Sequence, residues 1–178
     1  MYQCLETNRL ILRKVEDNDL VFLHQGLSDE RVTKYMLIHY PTLESAQEQL
    51  NYYYDQYATH SGCYWVMELR SSQIPIGVIG ITNIKREHLR GELGYWLLPE
   101  YQQQGYTIEA VKKILLFCFD SLSLNRIEAE TETENSRSIA LLQKLGFTKE
   151  GIFREYEINK GRFIDLVRFA LLKKEFQC

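Results

Sequence analysis

Residues 91–116, GELGYWLLPEYQQQGYTIEAVKKILL, decide how this chain is read. Residues 92–98 are aromatic and aliphatic and read as an extended segment, which Pro99 stops because proline lacks the N–H a sheet ladder needs. A polar run, Gln102, Gln103 and Gln104, leads to Gly105. A helical pattern follows, with Ile108, Val111, Leu115, Cys118 and Leu122 at three- and four-residue steps. Strand, glycine turn and helix together aim backbone N–H groups and a helix N-terminus at one point. Such a point favours an anion, for example a phosphate.

Upstream, residues 9–14 (RLILRK) read as a first strand with Leu10 and Leu12 on one face. Asp17 is placed to cap a helix running to about Leu27, and Ser28 to start another turn. Residues 32–41 read as a loop or a short helical piece. Thr42 and Ser45 mark a helix start, with Leu43, Ala46, Leu50, Tyr53, Tyr54 and Tyr57 on its apolar side. The tyrosines of that helix, Tyr52 included, read two ways. They are an aromatic wall over a binding site, or rings packed on a sheet with hydroxyls at its edge. Gly62 ends the helix; residues 63–70 and 76–83 then form two strands joined through 71–75. Gly77 and Gly80 inside the second strand predict a bulge or a close backbone approach, and 85–90 is a charged loop.

Downstream, residues 126–131 (RIEAET) alternate as a strand covered on one side, so Glu128, Glu130 and Glu132 are expected on a solvated face. Residues 135–147 (NSRSIALLQKLGF) form a helix with Ile139, Leu141, Leu142 and Leu145 inward, ended by Gly146. Residues 147–176 read as a two-strand hairpin turning at Asn159, Lys160 and Gly161.

A length of 178 residues is expected to make one domain, 1–178, large enough to bury about two thirds of its unfolded surface. The formal charge of −3 gives no reason to expect nucleic-acid or anionic-membrane binding. No apolar run approaches 18 residues, and the start MYQCLETNRL lacks a signal peptide's pattern. Cys4, Cys63, Cys118 and Cys178 are scattered and read as reduced thiols of a cytoplasmic protein. His24, His39, His60 and His88 show no ligand spacing, so no metal is expected.

Gln102-x-x-Gly105-x-Thr107 resembles the pyrophosphate loop of the GNAT superfamily of N-acetyltransferases, written Q/R-x-x-G-x-G/A. The preceding GYWLLPEY resembles that fold's fourth strand, above all in the ribosomal-protein N-terminal (RimJ/RimL-like) branch. The opening LETNRLILRKVEDNDL, the N-x-x-S-x-x-L-L-x-K-L-G-F segment from Asn135 and the closing GIFREYEINKGRFIDLVRFALL are similar to the same branch. The resemblance spans about residues 5–176. Thr107 departs from the family's Gly or Ala, and Ile108 from the branch's Thr; a β-branched residue narrows the cradle, although its hydroxyl can meet a phosphate oxygen. A dinucleotide-binding unit would need G-x-G-x-x-G and an acidic residue about 20 positions on, which this chain lacks.

The resemblance implies an α/β (α+β) GNAT fold: a mixed, mostly antiparallel twisted sheet flanked by helices, with a splay between the fourth and fifth strands. It implies acetyl-CoA as co-substrate, an amine acceptor, direct attack in a ternary complex, and a monomer or homodimer. Acyl transfer to an amine requires a neutral amine, donors for the oxyanion, and a proton or hydrogen bond for the leaving thiolate. By resemblance the donors are backbone N–H groups of Leu97 or Leu98. Glu92 stands where the family often has a carboxylate base. Alternation puts it on one face with Gly94 and Trp96, and its other reading is a surface residue paired with Arg90 or Arg86. Leu142 occupies the place of the family's proton-donating tyrosine, while Ser138 matches the branch's serine that bonds the CoA sulfur. Gln102, Gln103, Gln104, Gly105, Tyr106 and Thr107 are the expected diphosphate cradle. Asn135 is a helix cap or a pantetheine contact; Lys144 and Arg137 are cations for the phosphates or solvated charges.

The branch points to a protein or peptide α-amine, whose pKa of about 7.7–8.0 leaves much of it neutral, against about 10.4 for lysine. The alternatives are a small-molecule amine (polyamine, amino acid or antibiotic) or a catalytically weak CoA-binding domain.

Overall fold

The computed structural model describes residues 3–177, so the expectations for the first two residues and Cys178 lie outside the described residues. Strands β1 (Leu5–Glu6), β2 (Leu10–Lys14), β3 (Cys63–Leu69), β4 (Pro75–Lys85) and β5 (Arg90–Leu97) make an antiparallel run. β6 (Arg126–Glu132) joins β5 in parallel, and the hairpin β7 (Thr148–Asn159) and β8 (Arg162–Leu172) completes the order β1-β2-β3-β4-β5-β6-β8-β7. The hairpin turns through Lys160 and Gly161, both at positive φ, as the sequence predicts. Gly77 answers to close approach: a Cβ there would lie 2.4 Å from the Trp96 carbonyl oxygen.

The helices cover the sheet on two faces. Over one lie α1 (Leu20–Leu27) and α3 (Leu43–Ala58), with α2 (Glu30–Thr33) between them in the chain. Their Phe22, Leu23, Leu27, Leu50 and Tyr53 close on Val66, Val78 and Trp96. Over the other face α4 (Tyr106–Leu116) buries Ala110, Val111, Ile114 and Leu115 completely, beside Leu142 and Leu145 at α5 (Ser136–Lys144). A buried side chain of that size stabilises by roughly 1.5–3 kcal/mol, so α4 is held by its inner stripe.

Two helix starts differ from the reading. Glu16, not Asp17, precedes the first turn, with the Asp19 carboxylate accepting from its N–H at 2.8 Å. Asp29, not Ser28, caps α2 by accepting from the Arg31 N–H at 2.8 Å. Thr42 and Ser45 cap α3 reciprocally as expected. α3 stops at Ala58, four residues before Gly62.

β6 corrects the sequence reading more deeply. Both of its faces are covered, leaving Glu128 8 % and Glu132 3 % exposed. Each carboxylate is matched by arginine from another element, because burying a lone charge is prohibitive. Glu128 takes Arg90 and Arg126 at 2.8 Å, Glu130 takes Arg168, and Glu132 takes Arg162 and Asn159.

β5 and β6 pair only at Arg90↔Arg126, Gly91↔Ile127 and Glu92↔Glu128. Past that point they diverge, although β5 continues to Leu97 and β6 to Glu132. This is the expected splay. It falls between the fifth and sixth strands because the two-residue β1 precedes the first strand read from the sequence.

Candidate active site

The gap between the diverging strands leaves backbone groups without a ladder partner. The Leu98 N–H is committed to the Ile76 carbonyl at 2.9 Å. In an antiparallel pair, successive residues turn their backbone groups to opposite sides. The N–H groups of Leu97 and Tyr95 therefore face away from β4, into the gap. Of the two amides the sequence left open, Leu97 faces the splay and Leu98 does not.

The gap is the wall of a cleft of about 870 Å³, closed on its other sides by α5, the 102–107 loop and the segment after α1. It brings together Leu97, Gln102, Gln103, Thr107, Asn135 and Ser138 from the residues expected at a site. The Asn135 side chain accepts from the Ser138 N–H at 3.2 Å, so it caps α5 while lining the cleft. Ser138 Oγ lies 2.9 Å from the Tyr95 hydroxyl, a bond that crosses the splay. Burial pushes the Tyr95 hydroxyl up, and the bond to Ser138 works against that shift. Leu142, beside them, is buried and has no proton to offer.

The 102–107 loop is braced from three sides. Gln102 donates Nε2 to the Leu97 carbonyl at 3.0 Å and accepts from Arg137 Nη1 at 3.1 Å, tying the strand end to α5. Gly105 takes φ 83°, a left-handed geometry that favours glycine, and a Cβ there would stand 3.4 Å from Arg9 Nη2. Arg9 lies over the Tyr106 ring at 4.3 Å and bonds the Gln104 carbonyl at 3.0 Å and Glu109 at 2.7 Å. The turn at Gly105 leads straight into α4, whose first N–H groups have no acceptor within the helix. With Thr107 and Arg137 lining the cleft beside that helix start, the residues fit a diphosphate.

Other expected residues lie elsewhere. The Gln104 side chain turns to the Glu100 carbonyl, and Tyr106 is packed under Arg9, so this part of the loop offers the cleft only backbone. Lys144 is exposed on the last turn of α5 and is not in the cleft wall. Glu92 shares its face with Gly94 and Trp96 as alternation predicts, yet it stops short of the cleft and accepts from Asn83 Nδ2 at 2.9 Å. Arg90 is committed to Glu128 instead. Burial, and then the charges of Glu130 and Glu92, push the Glu157 carboxyl up; the three carboxylates form one acidic neighbourhood.

A second cavity, of about 370 Å³, opens on the Glu92 face and shares Met36, Gly94, Tyr95 and Trp96 with the cleft. Tyr52 and Tyr53 of α3 line it, whereas Tyr54 bonds Asp17 at 2.6 Å and Tyr57 bonds the Tyr64 carbonyl. Tyr54 and Tyr57 thus fit the packed-ring reading, while Tyr52 and Tyr53 line a cavity wall.

Residues 9–148 match the family model described as "Acetyltransferase (GNAT) domain". The chain belongs to the GNAT acetyltransferase family. N-acetyltransferase p20 of Bacillus licheniformis, itself uncharacterized, is 40% identical over 175 residues, covering 98% of each chain. YdaF of Bacillus subtilis (strain 168), whose name assigns it provisionally to ribosomal N-acetylation, is 32% identical over 101 residues. That match covers 57% of this chain and 55% of YdaF. The crystal structure of spermidine N-acetyltransferase from Vibrio cholerae with CoA and spermine superposes with a TM-score of 0.84 at 24% identity, over 95% of this chain and 98% of that one. This GNAT protein is accordingly an acetyl-CoA-dependent acetyltransferase.

Tyr95, Arg9 and Glu157 escaped the sequence reading as site residues, and Glu130, read onto a solvated face, lines the cleft. The alternation that placed Glu92 with Trp96 also puts Tyr95 on the opposite face, and that was the available signal. Nothing local marks Arg9, whose partners lie about a hundred residues on.

Proposed function

We propose that this protein transfers the acetyl group of acetyl-CoA to a primary α-amine of a peptide or protein, by direct attack within a ternary complex. The observation that carries the reading is the Tyr95–Ser138 hydroxyl pair at 2.9 Å beside the free amides of the splay. Acetyl-CoA supplies the activated acyl group as a thioester. The first N–H groups of α4 and the Gly105 turn hold its diphosphate, with Arg137 at the cleft wall. Leu97 and Tyr95 N–H groups donate to the oxygen that gains charge in the transition state. Ser138 donates a hydrogen bond to the departing sulfur, and Tyr95 fixes the direction of that hydroxyl. A thiol of pKa about 8.5 needs little more than this to leave. Glu130 lines the cleft but is held by Arg168, and Glu92 is held by Asn83, so Glu157 beside them is left to take the ammonium's proton, possible for a weak base because an α-amine titrates at about 7.7–8.0.

Two features favour polyamines as a second reading: the acidic neighbourhood of Glu157, and the spermidine enzyme among the structural neighbours. Mass spectrometry after incubation with acetyl-CoA separates the two. The α-amine reading expects a peptide with a free N-terminus to be acetylated over the same peptide blocked there and carrying an internal lysine. Preferential labelling of that lysine, or of spermidine over both peptides, overturns it.

A further inference from the structure

The cavity between α3 and strands β3–β5 has a chemistry unlike the cleft it joins. Tyr52, Tyr53, Tyr64, Trp96, Met36 and Ile38 make most of its wall, and no Asp, Glu, Lys, Arg or His lines it. The Tyr52 and Tyr64 hydroxyls lie 3.4 Å apart, and Tyr52 is 3.2 Å from Thr82 Oγ1, while Tyr40 and Gln49 add polar atoms to the wall. The rings pack on one another, Tyr53 and Tyr64 with centroids 4.3 Å apart. Burial holds the Tyr53 and Tyr64 hydroxyls far above neutrality, so the wall carries no charge. The cavity opens onto Gly94, where an added Cβ would meet nothing within 4 Å.

We propose that this cavity receives an apolar or aromatic side chain borne on the carbon next to the reacting amine. The proposal deepens the α-amine reading and rests on it. An amine placed over Gly94 stands between two environments. The acyl group arrives from the cleft on one side, and the substituent enters the aromatic cavity on the other. A second ammonium there would lose its hydration and find no carboxylate in the wall to pair with. The acceptor is thus a peptide or amine with a hydrophobic first residue, and a polyamine is excluded from this pocket.

The test uses the full chain with tripeptides that differ only at the first residue. Phe- or Leu-first peptides should exceed Gly-, Glu- and Lys-first peptides by roughly 10- to 100-fold in kcat/KM. Binding supplies a readout independent of turnover. Phenylalaninamide should bind the CoA-loaded protein saturably by calorimetry, at least about tenfold more tightly than lysinamide. Ile38→Glu should reverse both preferences, and the wild-type comparisons decide the matter if that variant fails to fold. Equal kcat/KM and equal binding across first residues, or spermidine as the best acceptor, overturns the pocket. Phenylalaninamide binding that Ile38→Glu abolishes, with no α-acetylation of any peptide, keeps the pocket and overturns the α-amine reading alone.

Discussion

In the proposed mechanism the hydroxyls of Ser138 and Tyr95 and the carboxyl of Glu157 carry most of the chemistry at the residue scale. Ser138→Ala removes one transition-state hydrogen bond and should lower kcat about tenfold, equivalent to about 1.4 kcal/mol. Tyr95→Phe should cost a similar factor by freeing the Ser138 hydroxyl to rotate. The two act through one chain of bonds, so the double variant should be little slower than the worse single one. Thiol-release kinetics on the three proteins checks this, and fully additive losses would separate the roles. Glu157 yields a prediction with the opposite sign for stability. Its folded carboxyl lies above the ordinary value, through burial and then Glu130 and Glu92. It therefore favours the fold below the unfolded pKa and disfavours it as pH rises through the folded one. Glu157→Gln should raise the denaturation midpoint at neutral pH while lowering the acetylation rate, a combination that a purely structural residue would not show.

At the scale of elements, the brace from β2 to the start of α4 sets the cradle. Burial raises Glu109, but bonds from Thr7 and Arg9 outweigh it, leaving the carboxyl below its ordinary 4.5. A depressed carboxyl contributes stability above its unfolded pKa and loses it as pH falls through the folded value. Stability of the wild type should therefore fall faster than that of Glu109→Gln as pH drops below about 4.5, as urea denaturation at a series of pH values can show. Gly105→Glu should abolish CoA binding outright, since it adds bulk and charge at a left-handed position. Elements with a local signal were legible: the Thr42 cap and the Lys160–Gly161 turn appear where their residues put them, and Val111 and Leu115 face inward on α4, whereas Cys118 and Leu122 fall in and after a wider π turn beyond its end. β6 was read in place but its solvated face was not borne out, because its glutamates are covered by arginines from β5, β8 and β6 itself, and alternation alone cannot report such partners. The glycine turn before α4 was read in the right place, yet Arg9, which braces it, belongs to a distant part of the chain.

On the scale of the whole molecule, the sheet is a scaffold interrupted once. Antiparallel pairing is continuous from β1 to β5 and from β6 to β7, and the single parallel contact between them holds for three residues. That interruption turns ladder groups into donors and lets side chains from α5 reach across to β5. The arginine–glutamate bonds of β6 tie it to β5 on one side and β8 on the other. Arg126→Ala, which strips one partner from buried Glu128 and the 2.7 Å bond to Glu150, should lower stability by about 1–3 kcal/mol at unchanged m-value in urea. The central claim is that the splay between β5 and β6 is where acetyl-CoA reacts. A crystal structure of the full chain with CoA tests it most directly. The account predicts the diphosphate on the Gly105 turn at the start of α4, and the thiol beside Ser138 Oγ within reach of the Leu97 amide. CoA bound with its thiol away from the β5–β6 gap, or its diphosphate away from that turn, would contradict it.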